Sequence, residues 1–192
     1  SGKKVGLTSK VVQEQLGVDQ PDFGVLFAEM EYLNGQTIDI STLIQPKVEA
    51  EVAFILGRDV DQAKPTWAEF LLSLEYAVAS IEVVDSVVKN WEITIFDTVS
   101  DNAASALYVL GDQPVAIDAL SLADIGMQMR INGSVVSTGT GAACLGHPLR
   151  SAYWLACLMA DNNQPLRRGE VILSGSLGPM MPVQSGGVVD VH

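Results

Sequence analysis

The sequence is poor in the residues that most often announce a site: it has two cysteines, Cys144 and Cys157, and two histidines, His147 and His192. Two thiols cannot build the disulfide framework of a small secreted domain. Cys144 and His147 stand three apart, yet two ligands do not make a zinc centre. Cys144 therefore reads as a small buried apolar residue and His147, before Pro148, as structural. Positive charge is also scarce, with 11 basic against 23 acidic residues and a formal charge of −12. Phosphate binding needs a basic patch, so neither nucleic acid nor an anionic membrane is expected as a partner. The same field repels a small anion, so an anionic substrate would need local positive charge from a lysine or a metal. Long apolar runs are missing too: residues 152–160 are far too few to span a bilayer. The first residues lead into no signal-peptide hydrophobic stretch, and a soluble, cytoplasmic protein is expected. No Gly-x-Ser-x-Gly nucleophile turn occurs. A dinucleotide loop at Gly139-Thr140-Gly141 would need its third glycine where Cys144 stands.

What is present is a globular composition, 48% hydrophobic and 18% charged over 192 residues, enough for one domain with a real core. The pattern is strand-rich with few helices, an α+β class. Strands are expected at residues 3–7, 48–56, 76–84, 127–131, 134–137, 170–174 and 188–191. Asn132-Gly133 joins two of these as a two-residue hairpin turn, because both positions accept positive φ. Helices are expected at residues 10–16, at 66–74 with Thr66 capping and Glu69 three later, and at 148–159 opened by Pro148. Both ends read as interrupted strands. The first and last strands are therefore expected at edges, in a portion of a longer, self-associating protein.

Candidate chemistry begins with Glu49 and Glu51. On a strand, residues i and i+2 share a face, so these carboxylates lie side by side in an otherwise apolar run. A bare Glu-x-Glu reads first as a strand with one solvated face. Glu82 shifts the balance, being an isolated carboxylate in a second apolar strand. Three carboxylates from neighbouring strands would form an all-oxygen site for a hard cation such as Mg²⁺ or Mn²⁺. The polar cluster from Asp97 to Asn102 reads as an ordinary helix cap and turn. The stretch Leu173-Ser174-Gly175-Ser176-Leu177-Gly178 reads either as a plain turn or as a strand end offering backbone N–H groups to an anion.

Six runs carry a resemblance, in order, across nearly the whole chain: Gly2-Lys3-Lys4-Val5-Gly6-Leu7-Thr8, Gly17-Val18-Asp19-Gln20-Pro21-Asp22-Phe23-Gly24, Gln45-Pro46-Lys47-Val48-Glu49-Ala50-Glu51, Ile81-Glu82-Val83-Val84-Asp85-Ser86, Phe96-Asp97-Thr98 with Asp101-Asn102-Ala103, and Leu173-Ser174-Gly175-Ser176-Leu177. Together they resemble the 2-hydroxypenta-2,4-dienoate hydratases of the fumarylacetoacetate hydrolase superfamily. The resemblance implies that superfamily's mixed β-roll with peripheral helices. By the same likeness, residues 1–192 form one catalytic domain lacking an N-terminal helical region and a final strand. It further implies Mg²⁺ or Mn²⁺ on Glu49, Glu51 and Glu82, acid–base work by Lys4 and Asp22, and substrate contacts from Ser174 and Gly175.

The activity implied is addition of water to 2-hydroxypenta-2,4-dienoate, giving 4-hydroxy-2-oxopentanoate in meta-cleavage breakdown of aromatic compounds. The metal would answer the −12 charge by chelating the anion. Partners implied are the dienol itself, further copies of the chain and a 4-oxalocrotonate decarboxylase. Two alternatives stand beside this. One is decarboxylation of a 2-oxo acid on the same fold, disfavoured by Asp19-Gln20-Pro21-Asp22. The other is a silent scaffold subunit, which has no physical need for clustered buried charge.

Overall fold

A computed structural model describes residues 1–10, 13–14 and 18–192. The helix expected over residues 10–16 falls largely outside the described residues. Eight strands form one mixed sheet, in the order β2 (Asp22–Leu26), β1 (Gly2–Gly6), β9 (Val171–Ser176), β4 (Lys47–Leu56), β5 (Leu74–Val84), β6 (Ser105–Leu110) and β3 (Glu31–Leu33), with β10 (Met181–Pro182) also on β4. A second, antiparallel sheet holds β11 (Val189–Val191), β7 (Gly126–Ile131) and β8 (Ser134–Thr140). The β7–β8 turn is Asn132-Gly133, with φ of 53° and 79°, as that dipeptide favours.

Among the described residues, three complete α-helices flank the sheets. α1 (Trp67–Ser73) is capped by Thr66, whose hydroxyl accepts the Glu69 N–H while Glu69 reaches back to Thr66. α2 (Ile95–Ser100) repeats the device with Thr94 and Asp97. α3 (Pro148–Asp161) starts at Pro148, and the Nδ1 of His147 accepts the Leu149 N–H at 3.1 Å. None of these helices is long and apolar enough to cross a membrane.

The large sheet is buried on both faces, which is why β4 reads as a nearly continuous apolar run. Val48, Ala50, Val52, Phe54 and Leu56 face one way, packing with Leu155 and Met159 of α3 and Met129 of β7. The alternate residues face the inside of a roll. There Ala53 meets Leu26, Tyr108, Leu110, Val171 and Leu173 in a second, smaller core. Leu26 lies on edge strand β2 and Tyr108 on β6, so the sheet curls until these two strands approach.

The first strand departs from expectation. β1 is interior, parallel to β9 and antiparallel to β2, and both Lys4 and Val5 are buried on opposite faces. Its second edge is taken by β9, a pairing across most of the chain that no local pattern announces. β11 does lie at an edge, against β7.

The roll's seam is closed by a side chain. Asn102 accepts the Val25 N–H at 2.7 Å and donates to the Val25 carbonyl at 2.9 Å, pairing with β2 as a neighbouring strand would. It does so from a left-handed turn in which Asn102, Ala103 and Ala104 have φ of 50°, 56° and 56°. Asparagine tolerates that region better than alanine does. N102A is therefore expected to lower the unfolding free energy by about 2–4 kcal/mol, from two orphaned backbone groups plus strain. N102G should recover about 1 kcal/mol of it. Urea unfolding of both variants checks this, and wild-type midpoints would mean that Asn102 closes nothing.

Candidate metal and acid–base site

Glu49 and Glu82 are direct partners in the antiparallel register of β4 and β5, and Glu51 is one step along the same face. Candidate ligand oxygens of these three carboxylates lie within 4.8 Å of one another. Glu82 is fully buried, Glu51 nearly so, and Glu49 half-buried. Like charges opposed across a strand pair are destabilising, so something must hold them. Lys4 supplies part of it: its Nζ is 3.2 and 3.4 Å from the two Glu82 oxygens. The Ser105 hydroxyl donates to Glu82 at 3.1 Å, and the Gly175 N–H donates to Glu51 at 2.8 Å.

One ammonium does not balance three carboxylates. Burial pushes the Glu49 carboxyl up to about 7, with the Glu82 charge adding to the rise and Lys4 and Lys47 opposing it. Glu51 is raised well above the usual carboxylate range, first by burial and then by Glu82 and Glu49. For Lys4, burial disfavours the charged form, but Glu82, Glu49, Asp22 and Glu51 together outweigh it and hold the ammonium above its ordinary value. One Glu51 oxygen is buried with no hydrogen-bond partner. An orphaned buried oxygen in an all-oxygen donor set of excess negative charge fits a hard divalent cation.

Asp22 lies across β1, opposite Gly6 in the β1–β2 register. An ideal Cβ on Gly6 would fall 2.1 Å from the Asp22 Oδ1, so any other residue there would push the Asp22 carboxylate out of its place. Both Asp22 oxygens are buried without partners among the described residues. Burial raises its pKa, Lys4 pulls it back, and Glu82 adds to the rise.

Lys4, Asp22 and Glu49 open onto a cavity of about 970 Å³, walled also by Leu7, Thr8, Lys47, Trp91 and Thr98. The mouth exists because β9 leaves the flank of β4 after Glu51, and the chain rejoins it as β10 at Val48. The intervening Ser176, Gly178, Pro179 and Met180 line the gap. Ser174 and Gly175 lie just before it, within β9. Ser174 is fully buried with its hydroxyl unpaired, and its carbonyl accepts from Cys144 Sγ at 2.6 Å and from the Ser151 hydroxyl. Gly175, at φ 106°, gives its N–H to Glu51 and sits so close to Thr8 that a Cβ would fall 2.4 Å from that side chain. The backbone donor read from the sequence thus meets an anion belonging to the protein itself.

Cys144 is fully buried, its thiol pushed up to about 12 by burial and the Glu51 charge. It is therefore a structural thiol. Asp97 caps α2, whereas Thr98 and Asn102 do more than a plain cap: one lines the cavity, the other closes the seam. Lys47 and Trp91 escaped the sequence reading. Lys47 was accessible to it, being two residues before Glu49 and so on the same strand face; Trp91 is brought in only by tertiary folding.

The fumarylacetoacetate hydrolase C-terminal family model matches residues 4–192. The chain is 52% identical over 191 residues to a 2-keto-4-pentenoate hydratase of Burkholderia vietnamiensis (strain G4 / LMG 22486), covering 100% of this chain and 73% of that protein. It is 53% identical over 190 residues to 2-keto-4-pentenoate hydratase 1 of Dechloromonas aromatica (strain RCB), covering 99% and 72%. Among solved structures, a 4-oxalocrotonate decarboxylase from Pseudomonas putida G7 with magnesium and adipate superposes with a TM-score of 0.93 at 33% identity, over 99% of this chain and 72% of that one. The chain belongs to the fumarylacetoacetate hydrolase family.

Cation binding must displace any proton on the cluster, so affinity should depend on pH. With Glu49 titrating near 7 and Glu51 raised as well, Mg²⁺ affinity is expected to rise with pH and to fall by at least about tenfold per unit below pH 7. Replacing Glu51 by Gln should weaken Mg²⁺ and Mn²⁺ binding by about 10–100-fold. Calorimetry across pH reads both, and affinity independent of pH and of Glu51 would exclude this cluster as the cation's seat.

Proposed function

We propose that the chain is a hydro-lyase adding water to 2-hydroxypenta-2,4-dienoate to give 4-hydroxy-2-oxopentanoate, in the meta-cleavage breakdown of aromatic compounds. The observation that carries this reading is identity above half with proteins named 2-keto-4-pentenoate hydratase over essentially the whole chain. The decarboxylase likeness is one-third identical. In this reading residues 1–192 act as one catalytic domain.

Glu49, Glu51 and Glu82 would hold Mg²⁺ or Mn²⁺, which when bound supplies positive charge that favours an enolate beside a carboxylate. The remaining work falls to the chain's own groups. Ketonisation of the dienol removes the proton from the 2-hydroxyl and places one on C5, giving 2-oxopent-3-enoate. Asp22 suits that transfer, because burial raises its pKa and neither oxygen is engaged elsewhere. Lys4, held as an ammonium by four carboxylates, is a poor base; it keeps Glu82 in place and offsets negative charge. Water then adds at C4, conjugate to the ketone, and its second proton returns to C3. Gly175 contributes by fixing Glu51 through its N–H, and Ser174, beside it in β9, lies behind the cavity lining rather than on it. The reading includes self-association, for which exposed Ile44, Val87, Phe96 and Val99 offer apolar surface. It also includes pairing with a 4-oxalocrotonate decarboxylase.

D22N keeps the shape of the site but removes the proton exchanger, so turnover should fall by about 10²–10⁴-fold while Mg²⁺ affinity holds. The reaction class is tested by offering 2-hydroxypentadienoate and 2-oxohex-3-enedioate in parallel, following dienol loss and CO₂ release. CO₂ from the second with no hydration of the first would replace this assignment by decarboxylation. Sedimentation at micromolar concentration should show species heavier than a monomer; a sharp monomer boundary contradicts self-association.

A further inference from the structure

An anionic substrate must find positive charge in a strongly acidic protein. Among the described residues, two basic side chains line the cavity, Lys4 and Lys47, and neither arginine nor histidine joins them. Lys4 is held by Glu82 at 3.2 Å. Lys47 has no ion-pair partner among the described residues. Its ammonium rests instead on the face of Trp91, 4.3 Å from the ring centroid. An aromatic face attracts one side of an ammonium and leaves its other N–H donors free.

Trp91 is held there against the backbone's preference. Asn90 and Trp91 have φ of 59° and 58°, the left-handed region that non-glycine residues seldom adopt. Gln45 pins this turn from several sides. Its side-chain oxygen accepts the Asn90 N–H at 2.9 Å, and its main-chain carbonyl accepts the Trp91 indole N–H at 3.1 Å. Its amide donates to the Ser86 and Val88 carbonyls. Strain that the surroundings over-determine in this way gathers at binding sites.

The geometry points to Lys47 as the residue that receives the substrate's carboxylate, with Trp91 and Gln45 as positioning residues that hold its ammonium over the cavity. With Lys4 already paired with Glu82, the rest of that wall offers no second cation: it joins apolar Val84, Ile93 and Met180 to uncharged Asn90, Thr98 and Ser176. The substrate class is therefore a short monocarboxylate with an uncharged tail. This rests on the hydratase reading for the identity of the substrate, not for its class.

The test uses the full chain as wild type, K47M, K47R and W91F. With 2-hydroxypentadienoate, K47M should raise KM roughly 10–100-fold while kcat falls by less than about threefold, and K47R should restore most of the loss. A second measurement needs no turnover: tryptophan emission during titration with butanoate in EDTA. Wild type should give a saturable change, W91F none, and K47M none within the same range. Adipate, charged at both ends, should bind more weakly than butanoate. If wild type leaves the dienoate untouched yet binds butanoate through Lys47, the hydratase reading falls and this inference stands. Butanoate binding that is absent in wild type or undiminished in K47M overturns it. So does K47M losing kcat at constant KM, and adipate binding as tightly as butanoate overturns the single-carboxylate class.

Discussion

Mutual repulsion among Glu49, Glu51 and Glu82 is the constraint around which the rest of this molecule is arranged. Three carboxylates on one face of two adjacent strands, inside a roll, form a concentration of negative charge that folding alone does not favour. The neighbouring elements answer it locally. β1 brings an ammonium to both Glu82 oxygens, β9 a backbone N–H to Glu51 and the start of β6 a hydroxyl to Glu82. What they leave unanswered is one buried Glu51 oxygen and a surplus of charge, and that residue of electrostatic energy is what a divalent cation would take up.

The roll makes this possible by separating two jobs between its faces. Val48, Ala50, Val52 and Phe54 face the larger core, while Glu49, Glu51 and Ala53 face inward. Stability is thus drawn mostly from the outer face and from α3. The inner face is free to carry charge at one end and a small apolar plug, around Tyr108 and Leu173, further along. Asp22 benefits from the same division. It sits on an edge strand, yet the seam at Asn102 turns that edge inward and keeps the carboxyl from water.

Much of this was legible beforehand, and the reasons differ by residue. Glu49, Glu51 and Glu82 stood out because an isolated charge in an apolar strand violates the ordinary pattern, and period-two geometry forecasts which charges share a face. The caps at Thr66 and Pro148 and the turn at Asn132-Gly133 are local rules that tertiary structure left undisturbed. The place of β1 was not legible, because a strand's neighbours are chosen by long-range packing. The second partner of β1 is β9, with Gly2 opposite Val171. Asn102 and Trp91 were hidden for the same reason: each works through a left-handed backbone turn that sequence does not announce at a non-glycine residue. Ser174 and Gly175 were legible as special but not in their task, since whether a backbone N–H faces solvent or a carboxylate depends on what lies across the sheet.

The pairing of β1 with β9 also sets an order of events during synthesis. Lys4 is made long before one of its two neighbouring strands: β2 follows soon after it, but β9 comes some 170 residues later, with Gly2 matched to Val171 and Lys4 to Leu173. Glu51 likewise waits for Gly175. A nascent chain that has already made all three glutamates holds them without the strand that seats Lys4 and without the amide that meets Glu51. The charged centre thus cannot close until β9 has been made, and closing it is a long-range step with the slow kinetics that such contacts impose.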